Sequence, residues 1–174
     1  MYQLCDLNQM LNDCKQELIS LGYTEVQNKY YSISINPRFR RKLGCCSLNK
    51  RTLCYKIQIS KVFMEICPDR IKNTMMHELI HSINGCMNHG QNFQHLASLV
   101  NRNFGYNVKT RSDVPEYNKY LNETKHYRYK LMCNTCRKEW LYQKAGKIVR
   151  GVLKNPNYCT CPRCKGNSFS VINL

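Results

Sequence analysis

The stretch IKNTMMHELIHSINGCMNHG, residues 71–90, decides the fold. Apolar residues recur there every three or four positions, which predicts a helix whose buried face carries Ile71, Met75, Leu79 and Ile83. Pro68 precedes this helix as a start signal, and Gly85 follows it as a stop signal. His77 and His81 lie four residues apart, about 40° around the helix axis and about 6 Å along it, so both imidazoles can bind one metal ion.

The same segment supplies a base for chemistry at that ion. Glu78 lies about 100° around the helix axis from His77, where it can take a proton from water on the metal instead of binding the metal itself. His89 follows the helix and is the predicted third ligand, with His95 on the next helix as its rival. Three protein ligands with one open position are the form of a catalytic zinc site. The alternative is that these histidines are ordinary polar residues on a helix surface.

The flanking patterns predict an α+β domain with a small antiparallel sheet packed against helices. A stripe of leucines predicts a first helix, and alternating apolar residues predict three strands, at 31–35, 43–47 and 53–59. Further helices are expected at 62–66 and 90–102. Residues 107–126 are polar and contain Pro115, which favours a linker. The predicted domains are therefore 1–106 for the metal site, the linker 107–126, and a C-terminal domain at 127–174.

Cysteines at metal-ligand spacing define that C-terminal domain. The pairs Cys133-x-x-Cys136 and Cys161-x-x-Cys164 predict a closed, structural zinc site with four thiolate ligands, in a zinc ribbon. Cys159 is a spare thiol that could replace Cys161. The other seven of the chain's 12 cysteines lie mostly among apolar residues and are read as small buried hydrophobes in a reducing compartment. We find no signal peptide and no apolar run of membrane-spanning length, so a soluble protein is expected.

The charge of the chain favours a polyanionic partner. The formal net charge is +16, and residues 125–174 contribute +10 of it. Basic residues there alternate with aromatic ones, as in proteins that neutralise phosphates and stack unpaired bases. A second basic cluster lies between two predicted strands. The predicted nucleic-acid-binding residues are Arg38, Arg40, Arg41, Lys125, Arg128, Lys130, Lys138, Trp140 and Lys144, although Trp140 is equally well explained as part of the ribbon's core.

The sequence resembles the SprT-like metallopeptidases, which include the Spartan proteases that act on DNA–protein crosslinks. The resemblance is carried by HELIH at 77–81, by HGQNF at 89–93, by Gly44 and the strand KIQIS, and by a ribbon of the bacterial SprT type. It implies that the family's zinc ligands are His77, His81 and His89 and that its catalytic glutamate is Glu78. The acid that usually precedes the aromatic residue of HGxxF is Asn92 here.

These patterns together predict a monomeric zinc metalloprotease with one catalytic and one structural zinc ion. The expected partners are DNA, single-stranded or damaged, and the proteins bound to it, which implies a role in DNA–protein crosslink repair and no membrane partner. Such a protein would be cytoplasmic and nucleoid-associated in a bacterium, or nuclear in a eukaryote. The alternative is a non-catalytic zinc protein that binds nucleic acid, but an intact Glu78 has no purpose in a purely structural site.

Overall fold

The computed structural model describes residues 3–174, which divide into two compact units, one ending at Leu121 and the other beginning at Asn122. The first unit is built, in chain order, from α1 (Leu4–Ser20), β1 (Tyr30–Asn36), β2 (Gly44–Asn49), β3 (Cys54–Ser60), α2 (Lys61–Ile66), α3 (Ile71–Ile80) and α4 (Gln91–Phe104), with α5 (Pro115–Glu123) at its end. The α+β class predicted from the sequence is the class observed.

Helix α1 packs its predicted apolar stripe into the core of this unit. Its first turn is capped, because the Asp6 carboxylate accepts a hydrogen bond of 2.6 Å from the Gln3 backbone N–H. The buried stripe consists of Leu7, Leu11, Cys14 and Leu18. It packs in one cluster with the buried face of α3 and with Phe93, Leu96 and Val100 of α4. The helix that carries the candidate metal ligands is therefore held from two sides by apolar contacts.

The sheet of this unit is mixed. The prediction of an antiparallel sheet is therefore wrong for one of its two strand pairs. The strand order is β1-β3-β2, in which β2 runs antiparallel to β3 but β1 runs parallel to it. The segment 37–43 passes across the end of β3, where Ser60 donates from its backbone N–H to Leu43 O and from its hydroxyl to Phe39 O. Alternating apolar residues predict strands, but they do not encode which strands pair.

The segment predicted as a linker, 107–126, is packed over much of its length, and its residues up to Leu121 belong to the first unit. Val108 belongs to the main core, and Val114 and Tyr117 are buried in a second cluster with Phe63 of α2. The rings of Phe63 and Tyr117 meet edge to face with their centroids 5.4 Å apart. This segment reads as polar because helix α5 buries only one of its faces, so most of its side chains face solvent.

A truncation test follows from these contacts. Removal of residues after 106 should unfold the first unit, because it deletes three buried side chains that each stabilise by about 2 kcal/mol, a large part of the ~5–15 kcal/mol of a typical domain. A fragment of residues 1–124, which keeps α5, should stay folded. Thermal unfolding followed by circular dichroism distinguishes the two, and equal melting temperatures for both fragments would contradict the assignment.

The second unit is a small ribbon with its own core. It contains β4 (Tyr129–Cys133), β5 (Glu139–Tyr142), α6 (Lys147–Lys154) and β6 (Phe169–Asn173). The strands form an antiparallel sheet in the order β5-β4-β6. Its core cluster consists of the buried side chains of Leu131, Cys133, Val152, Cys161 and Phe169.

Among residues 3–174, the helices are too short or too polar for any of them to cross a lipid bilayer.

Candidate metal centres

Helix α3 ends at Ile80, earlier than the sequence predicted, and this early end shapes the metal site. The Ser82 hydroxyl donates to Leu79 O, one of the last helix carbonyls, at 2.7 Å, and Lys29 Nζ donates to Ser82 O in the following turn at 2.7 Å. Gly85 has a φ of +79°, which favours glycine. The chain therefore turns back immediately after His81 instead of continuing as a helix to Gly85.

This turn brings three histidines together. The Nε2 atoms of His77 and His89 lie 3.1 Å apart, and one ring nitrogen from each of His77, His81 and His89 lies within 4.8 Å of the other two. The centroids of the three rings are separated by 4.7–5.0 Å. His95 is exposed on α4 and does not belong to this group. The structure therefore groups His89, and not its rival, with the two helical histidines.

Neighbouring groups orient the imidazoles. His81 Nδ1–H donates to the Cys86 carbonyl at 2.9 Å, so its Nε2 carries the lone pair that a metal needs. The Phe93 ring lies 4.7–5.0 Å from all three imidazole rings and is fully buried. The stretch HGQNF contains Phe93, but the sequence analysis gave this residue no role at the metal group.

The electrostatics of the site keep His77 neutral. Burial, followed by the neighbouring His81 and His89, lowers the pKa of His77 to about 4, partly opposed by the backbone of Lys109. Its Nδ1 is buried and has no hydrogen-bond partner within residues 3–174. A neutral imidazole has a lone pair to donate. Three imidazoles that converge from two segments fit a metal ion, zinc included.

Glu78 lies beside this group and is buried. Burial raises its pKa to about 7, while the backbone N–H of Cys46, which donates to the carboxylate, and the charge of Lys42 lower it. Gly44 of β2 packs directly against the side chain, since a Cβ added at Gly44 would lie 2.8 Å from Glu78 Cγ and 2.8 Å from Glu78 Oε1. The sequence analysis did not assign these contacts to Gly44 and Cys46. A glycine inside a strand was the available signal.

A cavity of about 590 Å³ opens over the histidines and Glu78. One wall is formed by the segment 41–46, which leads into and along β2. Another part comes from Thr110, Arg111 and Ser112, which follow α4 in the chain. Because Glu78 and all three histidines line this space, the metal group faces solvent on one side. An open coordination position next to a base is the arrangement of a catalytic metal site.

The ribbon holds a second group of candidate ligands. The sulfurs of Cys133, Cys136, Cys161 and Cys164 all lie within 4.8 Å of one another. Two of the distances are 3.6 Å, for Cys133 to Cys164, and 3.7 Å, for Cys136 to Cys161. This compact arrangement can bind zinc in a closed site. Cys159 is not a member of the group, so the structure does not place it as a substitute for Cys161.

The two cysteine pairs adopt the same loop. In each, the first cysteine's N–H donates to the carbonyl five residues later, at 2.9 Å from Cys133 to Lys138 and 2.7 Å from Cys161 to Gly166. The residue after each second cysteine, Arg137 or Lys165, has a positive φ. Backbone N–H groups of Cys136 and then Thr135 lower the pKa of Cys133 to about 6, which favours the thiolate that binds metal.

The SprT-like family model matches residues 7–112, which run from α1 through the segment that follows α4. The chain belongs to the SprT-like family. Its matched region is therefore a metallopeptidase-like domain, and both the three histidines and Glu78 lie inside it. No curated protein matches the chain. The ribbon lies outside the matched residues, so its likeness to the bacterial SprT type stays a prediction.

The residues predicted to bind nucleic acid occupy varied positions in this SprT-like protein. Arg38, Arg40 and Arg41 are exposed in segment 37–43, where the Tyr117 hydroxyl of α5 donates to Arg40 O at 2.8 Å. Arg128, Lys138 and Lys144 are exposed in the ribbon.

Three other residues predicted to bind nucleic acid already contact other residues within the ribbon. Lys130 pairs with Glu139 at 3.0 Å, and Lys125 Nζ donates to Asn122 at 2.6 Å. Trp140 packs in the ribbon core, with its ring centroid 6.1 Å from that of Phe169. Of the predicted residues of the ribbon, Arg128, Lys138 and Lys144 are therefore the ones that are exposed.

Proposed function

We propose that this SprT-like protein is a zinc-dependent peptidase that hydrolyses proteins associated with DNA. The observation that carries the enzymatic part is the buried carboxylate of Glu78 beside three converging imidazoles, both facing one open cavity. A structural metal site has no use for a buried base or for an open side. His77, His81 and His89 would hold the catalytic zinc, and the four ribbon cysteines a structural one.

The residues of the site divide the chemistry between them. Zinc, when bound, would lower the pKa of water toward about 7 and polarise the carbonyl of the bond to be cut. Glu78 accepts a proton from the attacking water and later delivers it to the leaving amine nitrogen. The Cys46 N–H and the Gly44 backbone hold the carboxylate in place. Phe93 and the Cys86 carbonyl hold the imidazoles in their ligand orientation.

Strand β2 offers a binding edge for a polypeptide. It is an edge strand of the sheet, paired only with β3. The N–H of Cys46 points away from β3 toward Glu78, so the backbone of Gly44, two residues earlier, faces the same way. An extended substrate can pair with such an edge through main-chain hydrogen bonds. This supports a peptide, rather than a small molecule, as the substrate.

Substitution of Gly44 by alanine should lower peptidase activity about 10- to 100-fold. The new methyl group would displace the Glu78 side chain, and a misplacement of about 1 Å can cost about 10²-fold in rate. Metal content should stay unchanged, because no ligand is touched. Gly146→Ala is the matched control, since a Cβ there meets nothing within 4 Å. Full activity in Gly44→Ala would show that this contact does not position the base.

A protease assay tests the proposed function directly. Zinc-loaded protein is incubated with casein, with and without single-stranded DNA, and with a chelator as the negative control. We expect cleavage that requires zinc and increases with DNA. Absence of cleavage in the zinc-loaded protein under all conditions would refute the enzymatic assignment and favour the non-catalytic alternative.

The DNA part rests on charge and has its own test. Two triple variants each remove three exposed cations, one changing Arg128, Lys138 and Lys144 to glutamine and the other changing Arg38, Arg40 and Arg41. We expect the ribbon variant to lose more affinity for single-stranded DNA, and the slope of log affinity against log salt to fall by about 0.7 for each phosphate contact removed. If neither variant weakens binding at matched salt, these residues do not contact DNA.

A further inference from the structure

The cavity over the metal group has a strongly cationic lining. Arg41 and Lys42 contribute from the segment before β2, and Arg111 contributes from the segment after α4. All three side chains are exposed. Glu78 is the only carboxylate among the lining residues, and it is buried. A bound substrate therefore meets positive charge from two separate segments of the chain.

These cations form no ion pair within the described part of the chain. No carboxylate of residues 3–174 forms an ion pair with Arg41, Lys42 or Arg111. Lys42 lies over the Phe39 ring, 5.9 Å from its centroid. The nearest acid in sequence to Arg111 is Asp113, whose carboxylate accepts a hydrogen bond of 2.8 Å from Asn118. Arg41 and Arg111 are therefore free to pair with a ligand, and Lys42, which forms no ion pair, also acts on Glu78 through its charge.

We infer that this cavity selects acidic segments of polypeptide, which it recognises through Lys42 and Arg111. The inference rests on the proposed peptidase function and adds the substrate class. Aspartate or glutamate side chains on either side of the bond to be cut would pair with these cations, while the peptide backbone lies along β2. Lysine or arginine at the same substrate positions would be repelled.

Peptide fits this cavity better than nucleic acid does. Proteins that bind single strands combine basic residues with aromatic faces on which bases stack. The lining contains no phenylalanine, tyrosine or tryptophan, and its aromatic rings are the three imidazoles of the metal group. The cations also share the cavity with Glu78 and the β2 edge, which are suited to an amide bond and an extended backbone. Charge complementarity is thus combined with peptide-binding geometry.

The test compares three peptides that share one central sequence and differ only in their flanks, which are acidic, neutral or basic. Cleavage by the zinc-loaded full-length protein gives kcat/KM for each. Each exposed charge pair should change kcat/KM by about 1.5- to 5-fold. With one pair at Lys42 and one at Arg111, we expect kcat/KM for the acidic peptide to exceed that for the neutral peptide by about 2- to 25-fold. The preference should shrink at high salt, where exposed charges are screened.

Variants assign the preference to residues. Arg111→Gln should reduce the acidic preference by about 1.5- to 5-fold, and Lys42→Gln by a similar factor. Arg102→Gln on α4 removes the same charge outside the cavity and should leave the preference unchanged. Arg111 is the cleaner probe, because Lys42 also acts on Glu78. Equal kcat/KM for all three peptides in an active enzyme would overturn the inference and leave the peptidase function intact.

A binding measurement keeps the inference testable without turnover. Fluorescence anisotropy of labelled peptides on the zinc-loaded Glu78→Gln protein should show the same order of affinities. If wild-type protein cleaves nothing but this order and its dependence on Arg111 are seen, the peptidase function fails and the acidic-peptide site stands. If a single-stranded oligonucleotide displaces the acidic peptide and loses more affinity than the peptide in Arg111→Gln, the cations belong to a nucleic-acid contact and the inference is overturned.

Discussion

Replacement of Glu78 by glutamine should reduce peptide hydrolysis by about 10²- to 10⁴-fold while the catalytic zinc stays bound. Glutamine has nearly the same shape as glutamate, so it can still accept the Cys46 N–H and pack against Gly44. It cannot take a proton from water. The three histidines are unchanged, so metal affinity should be close to that of the wild-type protein. The measurements are kcat/KM on a protein or peptide substrate and zinc content by elemental analysis.

Glu65→Gln is the matched control for this variant. Glu65 lies on α2 and pairs with Lys61 at 3.8 Å, with 38% of its side chain exposed. The substitution is chemically identical but lies outside the cavity lining, so activity should be unchanged. Near-normal turnover in Glu78→Gln with zinc bound would mean that another group acts as the base. Loss of zinc together with activity would mean that Glu78 supports the metal rather than the proton transfer.

Replacement of Cys136 by serine should unfold the ribbon and remove one zinc ion while the first unit keeps its own. The ribbon buries few apolar side chains, and a core this small does not stabilise about 50 residues by itself. Structural zinc contributes about 10–16 kcal/mol in comparable peptides at pH 7. Limited proteolysis should therefore cut the variant within residues 122–174, and its zinc content should fall from about two equivalents to about one.

Cys159→Ser provides the comparison within the same unit. Cys159 packs near the ribbon core but lies outside the group of four sulfurs. This variant should keep both zinc ions and resist proteolysis as the wild-type protein does. If Cys136→Ser keeps two equivalents of zinc, the four-cysteine site is not the structural metal site. If Cys159→Ser loses one, the ligand set needs revision.

Local spacing carried most of what could be predicted about the candidate sites. His77 and Glu78 lie on α3 and His81 is its C-terminal cap residue, so the geometry of that helix alone places them. The cysteine pairs are also local, because each loop is closed by backbone hydrogen bonds within six residues. The choice of His89 over His95 was harder. It depends on the turn after His81, which hydrogen bonds from Ser82 and Lys29 shape.

Long-range packing decided the parts that the sequence left open or got wrong. The parallel pairing of β1 with β3 joins strands that are not consecutive, and alternation along a strand says nothing about its neighbour. Helix α5 resembled a linker because only one residue of the helix, Tyr117, is buried. Its contribution to packing depends on two long-range contacts of Tyr117, with the Phe63 ring and with the Arg40 carbonyl.

The sequence by itself determined which residues are chemically able to form the two metal groups and which helices carry an apolar face. Those properties depend on residue type and on the spacing of neighbours along one element. Only the tertiary structure decided that Gly44 and Cys46 hold Glu78, that Phe93 supports three imidazoles, and that Lys42 and Arg111 face one cavity. Each of these contacts joins segments that are distant along the chain. Such contacts depend on how distant segments pack together in the core, and local periodicity does not encode that packing.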